Sequence, residues 1–290
     1  MDKKLLAITA TSIILIIGVL GLSQQDQVDF GDGDLAVISL SGSVSSSSTT
    51  GFGASGGISP SKVNDLNQMA MDRGADAILY EINSGGGAVV ASKEVKREIE
   101  SVDLPTVCRF RDIGASGAYL FALGCDRIVA DSSTLTGSIG VRSSYFEFSG
   151  TLDKLGIDYV NITAGERKDI GSQYRNITDE ERKILQRKAD RVHEEFIEIV
   201  RTERNMTESK LETATTGEPF LGDRAKELSL VDSIGGKSVA VDEAENLTGG
   251  NLTTMDIQQQ ASFNFLSLLT SDLSFSNFID QGSPIKASYR

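Results

Sequence analysis

Short apolar segments that end in glycine-rich turns recur along this chain of 290 residues, and a helical pattern follows each of them. Segment 76–82 leads through turn 83–87 to a helix predicted at 89–100, and segment 106–110 leads through turn 112–117 to another helix. Strands that alternate with helices predict an α/β fold with a largely parallel sheet. The carboxyl ends of successive parallel strands meet at one edge of the sheet, so we expect these two turns to lie side by side.

The remaining pattern extends this alternation over most of the chain. Pro60 fits the first turn of a helix, and Thr178 with Glu181 has the spacing of a capping box at the start of a long amphipathic helix. The Ser- and Gly-rich stretch 43–57 predicts a mobile loop. Further strands are predicted at 34–42, 127–130, 134–141 and 158–163, and further helices at 59–73 and 178–203.

The N-terminal segment has the length and composition of a membrane-spanning helix. Residues 5–22 carry no charge, and 18 helical residues rise about 27 Å, which is just enough to cross the hydrocarbon core of a bilayer. Lys3 and Lys4 precede this run, whereas acids without Lys or Arg follow it, which predicts a cytoplasmic N-terminus. A cleaved signal peptide is the alternative, although no A-x-A site follows. We expect an anchor at 1–23, a linker at 24–34, a folded domain at 35–247 outside the membrane and a tail at 248–290.

Composition excludes several classes of function. A formal net charge of −13 argues against nucleic-acid binding, which needs a basic face. The chain has neither the P-loop pattern of nucleotide-binding proteins nor a metal-ligand spacing, so we expect no cofactor and no metal. Cys108 and Cys125 are the only cysteines and are expected mainly as small buried side chains. A single bridge between them remains open if the domain lies outside the cytoplasm.

Ser116 follows the strand predicted at 106–110 and is the best candidate for a nucleophile. The N–H of Gly117 would begin the next helix and suit an oxyanion, and N–H groups of the neighbouring Gly-Gly-Gly turn could converge on the same atom. The only histidine, His193, lies in a charged helical stretch, which argues against a Ser-His-Asp triad. A lysine is therefore the expected base. Such a lysine must be neutral, which requires shelter from water. Lys168, just past a predicted strand end, is one candidate, although its charged neighbours are equally typical of an exposed loop.

Several ordered motifs between about residues 35 and 245 resemble the signal peptide peptidase A family, in its half-length form. The family's proline-containing turn is similar to residues 83–87, with Gly85 at the usual proline, and Ala118 stands where a second glycine is common. The other matching motifs are Asp112-Ile-Gly-Ala-Ser-Gly-Ala-Tyr119, Asp126-Arg-Ile-Val-Ala130, Thr134-Leu-Thr-Gly-Ser-Ile-Gly-Val141, Gly165-Glu-Arg-Lys-Asp-Ile170 and Phe220-Leu-Gly-Asp-Arg-Ala-Lys-Glu-Leu-Ser-Leu-Val-Asp232.

The resemblance implies a role for each residue of a Ser-Lys peptidase site. Ser116 would be the nucleophile, and Lys168 would be the general base and later the general acid. Ser138 would hydrogen-bond to that lysine and orient it. The N–H of Gly117, together with that of Gly86 or Gly87, would form the oxyanion hole.

The resemblance also implies a fold, partners and a location. The fold would be the Clp-protease/crotonase-like spiral of β-β-α units, assembled into a homo-oligomeric ring at the outer face of the cell membrane. The substrates would be hydrophobic peptides, chiefly cleaved signal peptides, and membrane lipid would contact the N-terminal helix. Three alternatives stay open: a serine protease that trims membrane proteins, a crotonase-like enzyme acting on acyl-CoA, and an inactive scaffold that binds peptides.

Overall fold

The structure is a computed structural model that describes residues 33–47 and 57–258. The order of elements alternates strands and helices, as the sequence predicts. The strands are β1 (Leu35–Ser41), β2 (Ala77–Ser84), β3 (Thr106–Ala115), β4 (Arg127–Ala130), β5 (Leu135–Gly137), β6 (Pro219–Leu221), β7 (Ser233–Ile234) and β8 (Thr254–Ile257). The helices are α1 (Pro60–Asp72), α2 (Val89–Glu100), α3 (Gly117–Ala122), α4 (Ser149–Leu155), α5 (Asp179–Glu203), α6 (Glu208–Ala214), α7 (Gly222–Glu227) and α8 (Lys237–Thr248).

One mixed sheet organises these elements, and nearly all of its pairings are parallel. Its main order is β6-β5-β3-β2-β1-β8, and β4 pairs with β3 and β7 beside this path. Only β5 and β6 run antiparallel among the described pairs. The predicted α/β class with a mostly parallel sheet is therefore confirmed, whereas the assignment to a spiral of β-β-α units stays a prediction.

β3 is the strand that carries the candidate nucleophile, and it pairs with different neighbours along its length. Its first half, Val107–Phe110, pairs with β4, and Ile113–Ala115 pairs with β5. The strand continues five residues beyond the predicted end because side chains from neighbouring strands hold its second half. Asn83 Oδ1 accepts a hydrogen bond from Ile113 N at 3.2 Å, and Thr136 Oγ1 donates one to Gly114 O at 2.7 Å.

Helices pack on both faces of the sheet. One face carries the larger apolar cluster, in which Tyr80, Phe110, Tyr119 and Phe121 are fully buried. The other face is covered by α8, whose Ala240 and Ala244 pack against buried aliphatic side chains of β1 to β4. Burying this apolar surface is the main driving force that holds the turn around Ser116 to the rest of the domain.

The helix boundaries follow the signals that the sequence carries. Ser59 Oγ accepts from Lys62 N ahead of Pro60, which is the first residue of α1. At the start of α5, Thr178 and Glu181 form the predicted capping box with hydrogen bonds of 3.0 and 3.2 Å. These caps satisfy backbone groups that a helix terminus otherwise leaves without a partner.

Residues 158–163 are not a strand, so that prediction is wrong. The segment has the β-branched and aromatic composition of a strand, but no described strand lies beside it, and Tyr159, Val160 and Ile162 are exposed. A strand needs a partner for its backbone groups, which composition alone does not supply.

Regular structure continues past the predicted domain boundary at residue 247. The predicted boundary at 247 falls within α8, and β8, in the segment predicted as a tail, pairs in parallel with β1. The predicted anchor 1–23, nearly all of the linker 24–34 and the tail beyond 258 lie outside the described residues. Within 33–47 and 57–258, no helix combines the length and apolar character needed to cross a bilayer.

Cys108 and Cys125 form a disulfide, which is the alternative to two small buried side chains that the sequence leaves open. Cys108 lies on β3 and Cys125 follows α3, with their Cα atoms 5.8 Å apart. The sequence pattern could not decide the pairing, because it depends on how α3 folds back along β3. The loop that the disulfide closes contains the end of β3, Ser116 and all of α3, so the bridge joins the chain segments before and after the turn at Ser116.

Removing this bridge is expected to destabilise the domain. We expect Cys108→Ala combined with Cys125→Ala to lower the free energy of unfolding by about 2–4 kcal/mol, because the unfolded chain regains the entropy of a 17-residue loop. Urea unfolding of the oxidised wild type and the double variant measures the difference. Reduced wild type serves as the control and should unfold like the variant. Equal midpoints for oxidised wild type and variant would show that the bridge does not form.

Candidate active site

Ser116 lies in the sharp turn between β3 and α3, with a backbone conformation that L-residues seldom adopt. Its φ is 55° and its ψ is −123°, in a region that favours glycine. Its N–H donates to Gly137 O at 2.8 Å, and its C=O accepts from Leu120 N at 2.9 Å. Strain of this kind costs about 1–3 kcal/mol and is typical of functional sites. The half-buried Ser116 side chain lines two cavities.

The two glycine-rich turns meet beside Ser116, as the strand order predicts. Gly86 has φ +90°, and a Cβ on it would collide with the backbone nitrogen of Gly117 and lie 3.0 Å from Ala115 O. A Cβ on Gly117 would lie 3.1 Å from Gly87 N and would collide with Ser92 Oγ. Only glycine permits this approach of the two backbones.

The backbone N–H groups of these turns are not equivalent. Gly86 N donates to Ser84 Oγ at 3.1 Å, so this N–H already has an acceptor. Within the described part of the chain, the N–H groups of Gly117 and Gly87 donate no hydrogen bond. These two donors are therefore the ones available to a ligand beside Ser116.

Both cavities that Ser116 lines are large enough for part of a peptide. The first, about 270 Å³, is lined by the glycine turn, Gly117, Lys93 and several apolar side chains. The second, about 550 Å³, is more polar and joins Ser116 to Ser138. Arg142 lines both of them. The apolar wall of the first cavity consists of Val89, Leu120, Val141, Val192 and Phe196.

His193 lies in the second cavity, a place that the sequence reasoning missed. It is half-buried on α5, and its Nε2 lies 3.0 Å from Ile139 O. The helical spacing could have predicted that His193 faces the domain, because Phe196 and Val200 lie three and seven residues further along α5 and both are buried. The charges around His193 in the sequence belong to the other faces of the helix.

Lys168 lies on an exposed turn and lines neither of the cavities that Ser116 lines. Its N–H donates to Gly165 O at 3.1 Å, which closes the turn. The structure therefore brings together Ser116, Ser138 and Gly85–Gly87, but it does not bring the Lys168 side chain to them in a single copy. In the described residues, the Lys168 ammonium group makes no ion pair.

The charged neighbours of Lys168 are paired with other residues. Arg175 Nε donates to Asp169 Oδ2 at 2.6 Å, and its NH2 group donates to Asp169 O at 2.8 Å. Arg175 also binds Glu181 at the start of α5, and this hydrogen bond lowers the pKa of Glu181 to about 2. Arg167 pairs with Glu180 at 2.6 Å. These contacts fasten the Lys168 turn to α5, and no carboxylate of the described residues pairs with the Lys168 amine.

Substitution of Gly86 is expected to damage the site. Gly86→Ala places a methyl group against the Gly117 backbone and forces φ +90° on an L-residue. We expect kcat/KM for any reaction at Ser116 to fall at least tenfold, because loss of one well-placed oxyanion donor typically costs 10² to 10³. The matched control is Gly74→Ala, which has a similar φ of +75° but open space around it. Equal activity of the Gly86 variant and wild type would contradict this role of the turn.

Comparison with known proteins finds proteases that are similar to about three fifths of the chain. The chain is 33% identical over 183 residues to the putative signal peptide peptidase SppA of Enterococcus faecium, covering 62% of this chain and 53% of the relative. It is 37% identical over 175 residues to the putative protease slr0021 of Synechocystis, covering 60% and 63%. With protease 4 of Haemophilus influenzae the identity is 28%, covering 61% and 29%. These alignments span about a third to two thirds of the relatives' own lengths.

A family model and a solved structure complete the comparison. A membrane-bound stomatin-specific protease, 1510-N, aligns with a TM-score of 0.48 and 14% identity, covering 79% of this chain and 95% of that one. The model of peptidase family S49 matches residues 98–250, which are just over half of the chain and include Ser116, Ser138 and Lys168. The chain belongs to peptidase family S49.

Proposed function

We propose that the protein is a serine endopeptidase that cleaves hydrophobic peptides through an acyl-enzyme on Ser116. The observation that carries the proposal is the geometry of Ser116: a strained, half-buried serine whose side chain lines a partly apolar cavity, with the two free N–H groups of Gly117 and Gly87 beside it. A nucleophile next to a prepared oxyanion hole is the arrangement that acyl transfer requires. Membership of family S49 supports the same chemistry.

The proposed reaction uses Lys168 as the proton carrier. Its neutral amine takes the Ser116 hydroxyl proton while Oγ attacks the peptide carbonyl carbon, and the N–H groups of Gly117 and Gly87 stabilise the oxyanion. The C–N bond then breaks, and the leaving amine takes the proton from Lys168. A water molecule loses a proton to Lys168 and attacks the ester carbonyl carbon. The C–O bond to Ser116 then breaks, the acid is released, and Lys168 returns the proton to Ser116 Oγ. Ser138, across the second cavity, orients the lysine.

We propose that Lys168 reaches Ser116 only when several copies of the chain assemble. The arm that carries it, residues 142–177, leaves most of its large apolar side chains in water, and such a patch on a soluble domain marks an interaction surface. A second copy is the proposed occupant, because the arm carries Lys168, whereas the lysine that lines the first cavity, Lys93, is ion-paired with Glu195. Lys168 of one copy would then meet Ser116 of its neighbour in a ring. The exposed side chains of the arm are Tyr145, Phe146, Phe148, Leu155, Ile157, Tyr159, Val160, Ile162 and Tyr174.

The proposed substrates are cleaved signal peptides, and the proposed location is the outer face of the cell membrane. The apolar wall of the first cavity suits aliphatic side chains, and relatives are named signal peptide peptidase SppA. The uncharged run at 5–22, preceded by lysines, supports an anchor with a cytoplasmic N-terminus. The disulfide supports the same orientation, since such bridges persist outside the cytoplasm.

The experiment that tests the function uses the full chain purified in detergent. A fluorogenic peptide with a leucine- and alanine-rich core should be cleaved without ATP and in the presence of a metal chelator, and a Ser- and Asn-rich peptide of equal length should be cleaved at least tenfold more slowly. Acyl-CoA hydrolysis is measured in parallel. Turnover of acyl-CoA without peptide cleavage would replace the peptidase proposal with the crotonase-like alternative.

A further inference from the structure

Three hydrogen bonds hold the turn that carries Ser138. Gly137 O accepts from Ser116 N at 2.8 Å, and Ser138 N donates to Glu218 O at 3.0 Å. The third bond joins Ile139 O to His193 Nε2 at 3.0 Å. The first two are bonds between backbone groups, whereas the third comes from a side chain on α5.

The backbone of this turn needs such support, because Ser138 has φ +49°. A positive φ at a residue with a side chain is retained only when the surroundings determine it. Gly137, with φ +74°, packs against the Phe220 ring, which fixes the turn from the β6 side. His193 fixes it from the opposite side, where α5 borders the second cavity.

The acceptor of this hydrogen bond determines which ring nitrogen of His193 carries a hydrogen. A carbonyl oxygen can only accept, so Nε2 must carry a hydrogen. The neutral ring then has its lone pair on Nδ1, and the protonated ring keeps the same bond to Ile139 O. Hydrogen bonding to Ile139 therefore does not depend on the charge of His193.

We propose that His193 is a positioning residue, which holds the 137–140 turn so that the Ser138 hydroxyl faces the amine of Lys168. This inference rests on the proposed function, because it assumes the Ser116–Lys168 reaction. His193 acts through Ser138 and takes no proton from Ser116. Among the described residues that line the second cavity, His193 is the only titratable side chain besides Arg142. His193 thus serves the geometry of the reaction rather than its proton transfer.

The test compares two substitutions of His193 in the assembled full chain. His193→Gln keeps an N–H donor at a similar reach, whereas His193→Leu keeps bulk without a donor. Below the Tm of each variant, the Leu variant should lose about 10- to 100-fold in kcat with KM within twofold, because a small misplacement of a catalytic group costs that much. The Gln variant should recover most of the rate. Glu194→Gln, on the exposed face of α5, is the matched control and should behave like wild type.

Two rate patterns would overturn the proposal. Wild-type rates in both variants would show that the bond to Ile139 has no effect on the reaction. Equal and large losses in both would show that His193 itself transfers the proton, as in a Ser-His dyad.

Amide hydrogen exchange separates this inference from the proposed function. Exchange at Ser138–Gly140 should be faster in the Leu variant than in wild type and near wild type in the Gln variant, whether or not any peptide is cleaved. Faster exchange in the Leu variant of a protein without peptidase activity would keep the turn-holding role and reject the proposed reaction. Unchanged exchange in both variants would reject the role of His193.

Discussion

Ser116→Ala is expected to lower kcat for the hydrophobic peptide by at least about 10⁴-fold, the loss typical of removing a serine nucleophile. Without the hydroxyl no acyl-enzyme forms, while the cavity and the N–H groups of Gly117 and Gly87 remain. KM should change little, because the Ser116 hydroxyl contributes mainly to the chemical step. Steady-state kinetics of the full chain in detergent give both constants.

Two further serine variants test whether the loss of activity is specific to the Ser116 hydroxyl. Ser133→Ala alters an exposed serine that lines neither cavity and should retain wild-type activity. Ser116→Gly should be as inactive as the alanine variant but more stable than it by about 1 kcal/mol, since glycine adopts φ 55° without strain. Activity above one per cent in Ser116→Ala would contradict the role of this serine as the nucleophile.

Lys168→Ala is expected to lower kcat at least about 10³-fold, because the Ser116 hydroxyl then has no base and the leaving amine no acid. The structure allows a sharper prediction, since within one copy Lys168 is exposed and lines neither cavity. If the lysine of one copy serves the serine of the next, two inactive variants should restore each other in a mixed ring. With equal amounts of both, half of the serines and half of the lysines are intact, so about a quarter of the sites recover.

Co-expression of differently tagged Ser116→Ala and Lys168→Ala chains tests this arrangement. Sequential purification on both tags isolates the mixed oligomers, and their activity is compared with that of each variant alone. Gel filtration of the single variants is the control for assembly. Mixed oligomers as inactive as the single variants would show that Lys168 reaches Ser116 within its own chain, and the arm would then have to move.

The sequence predicts the turn at Ser116 well because the residues that form this turn are close together in the chain. The apolar run of β3, the glycines around Ser116 and the start of α3 form one continuous signal, and parallel strand order brings Gly86 to Gly117. The capping box of Thr178 and Glu181 is local in the same sense. Periodicity and turn chemistry suffice for such features.

The errors arise where the outcome depends on distant partners. Residues 158–163 have strand composition but lack a neighbouring strand in this chain, and the pairing of Cys108 with Cys125 depends on how α3 folds back. The charged neighbours of His193 argued only against a triad, whereas its position beside Ile139 O depends on how α5 packs. The proposed role of Lys168 in catalysis depends on the proposed assembly of copies, which neither the residue pattern nor a single chain specifies.

Covalent labelling tests the central claim, that Ser116 is the nucleophile of a prepared acyl-transfer site, most directly. The detergent-purified full chain is incubated with a serine-directed phosphonylating or acylating probe, digested and examined by mass spectrometry. The account predicts one adduct per chain at Ser116, its loss in Ser116→Ala, and protection of Ser116 by the hydrophobic peptide. An adduct on another serine that removes peptidase activity, while Ser116 stays unmodified, would contradict it.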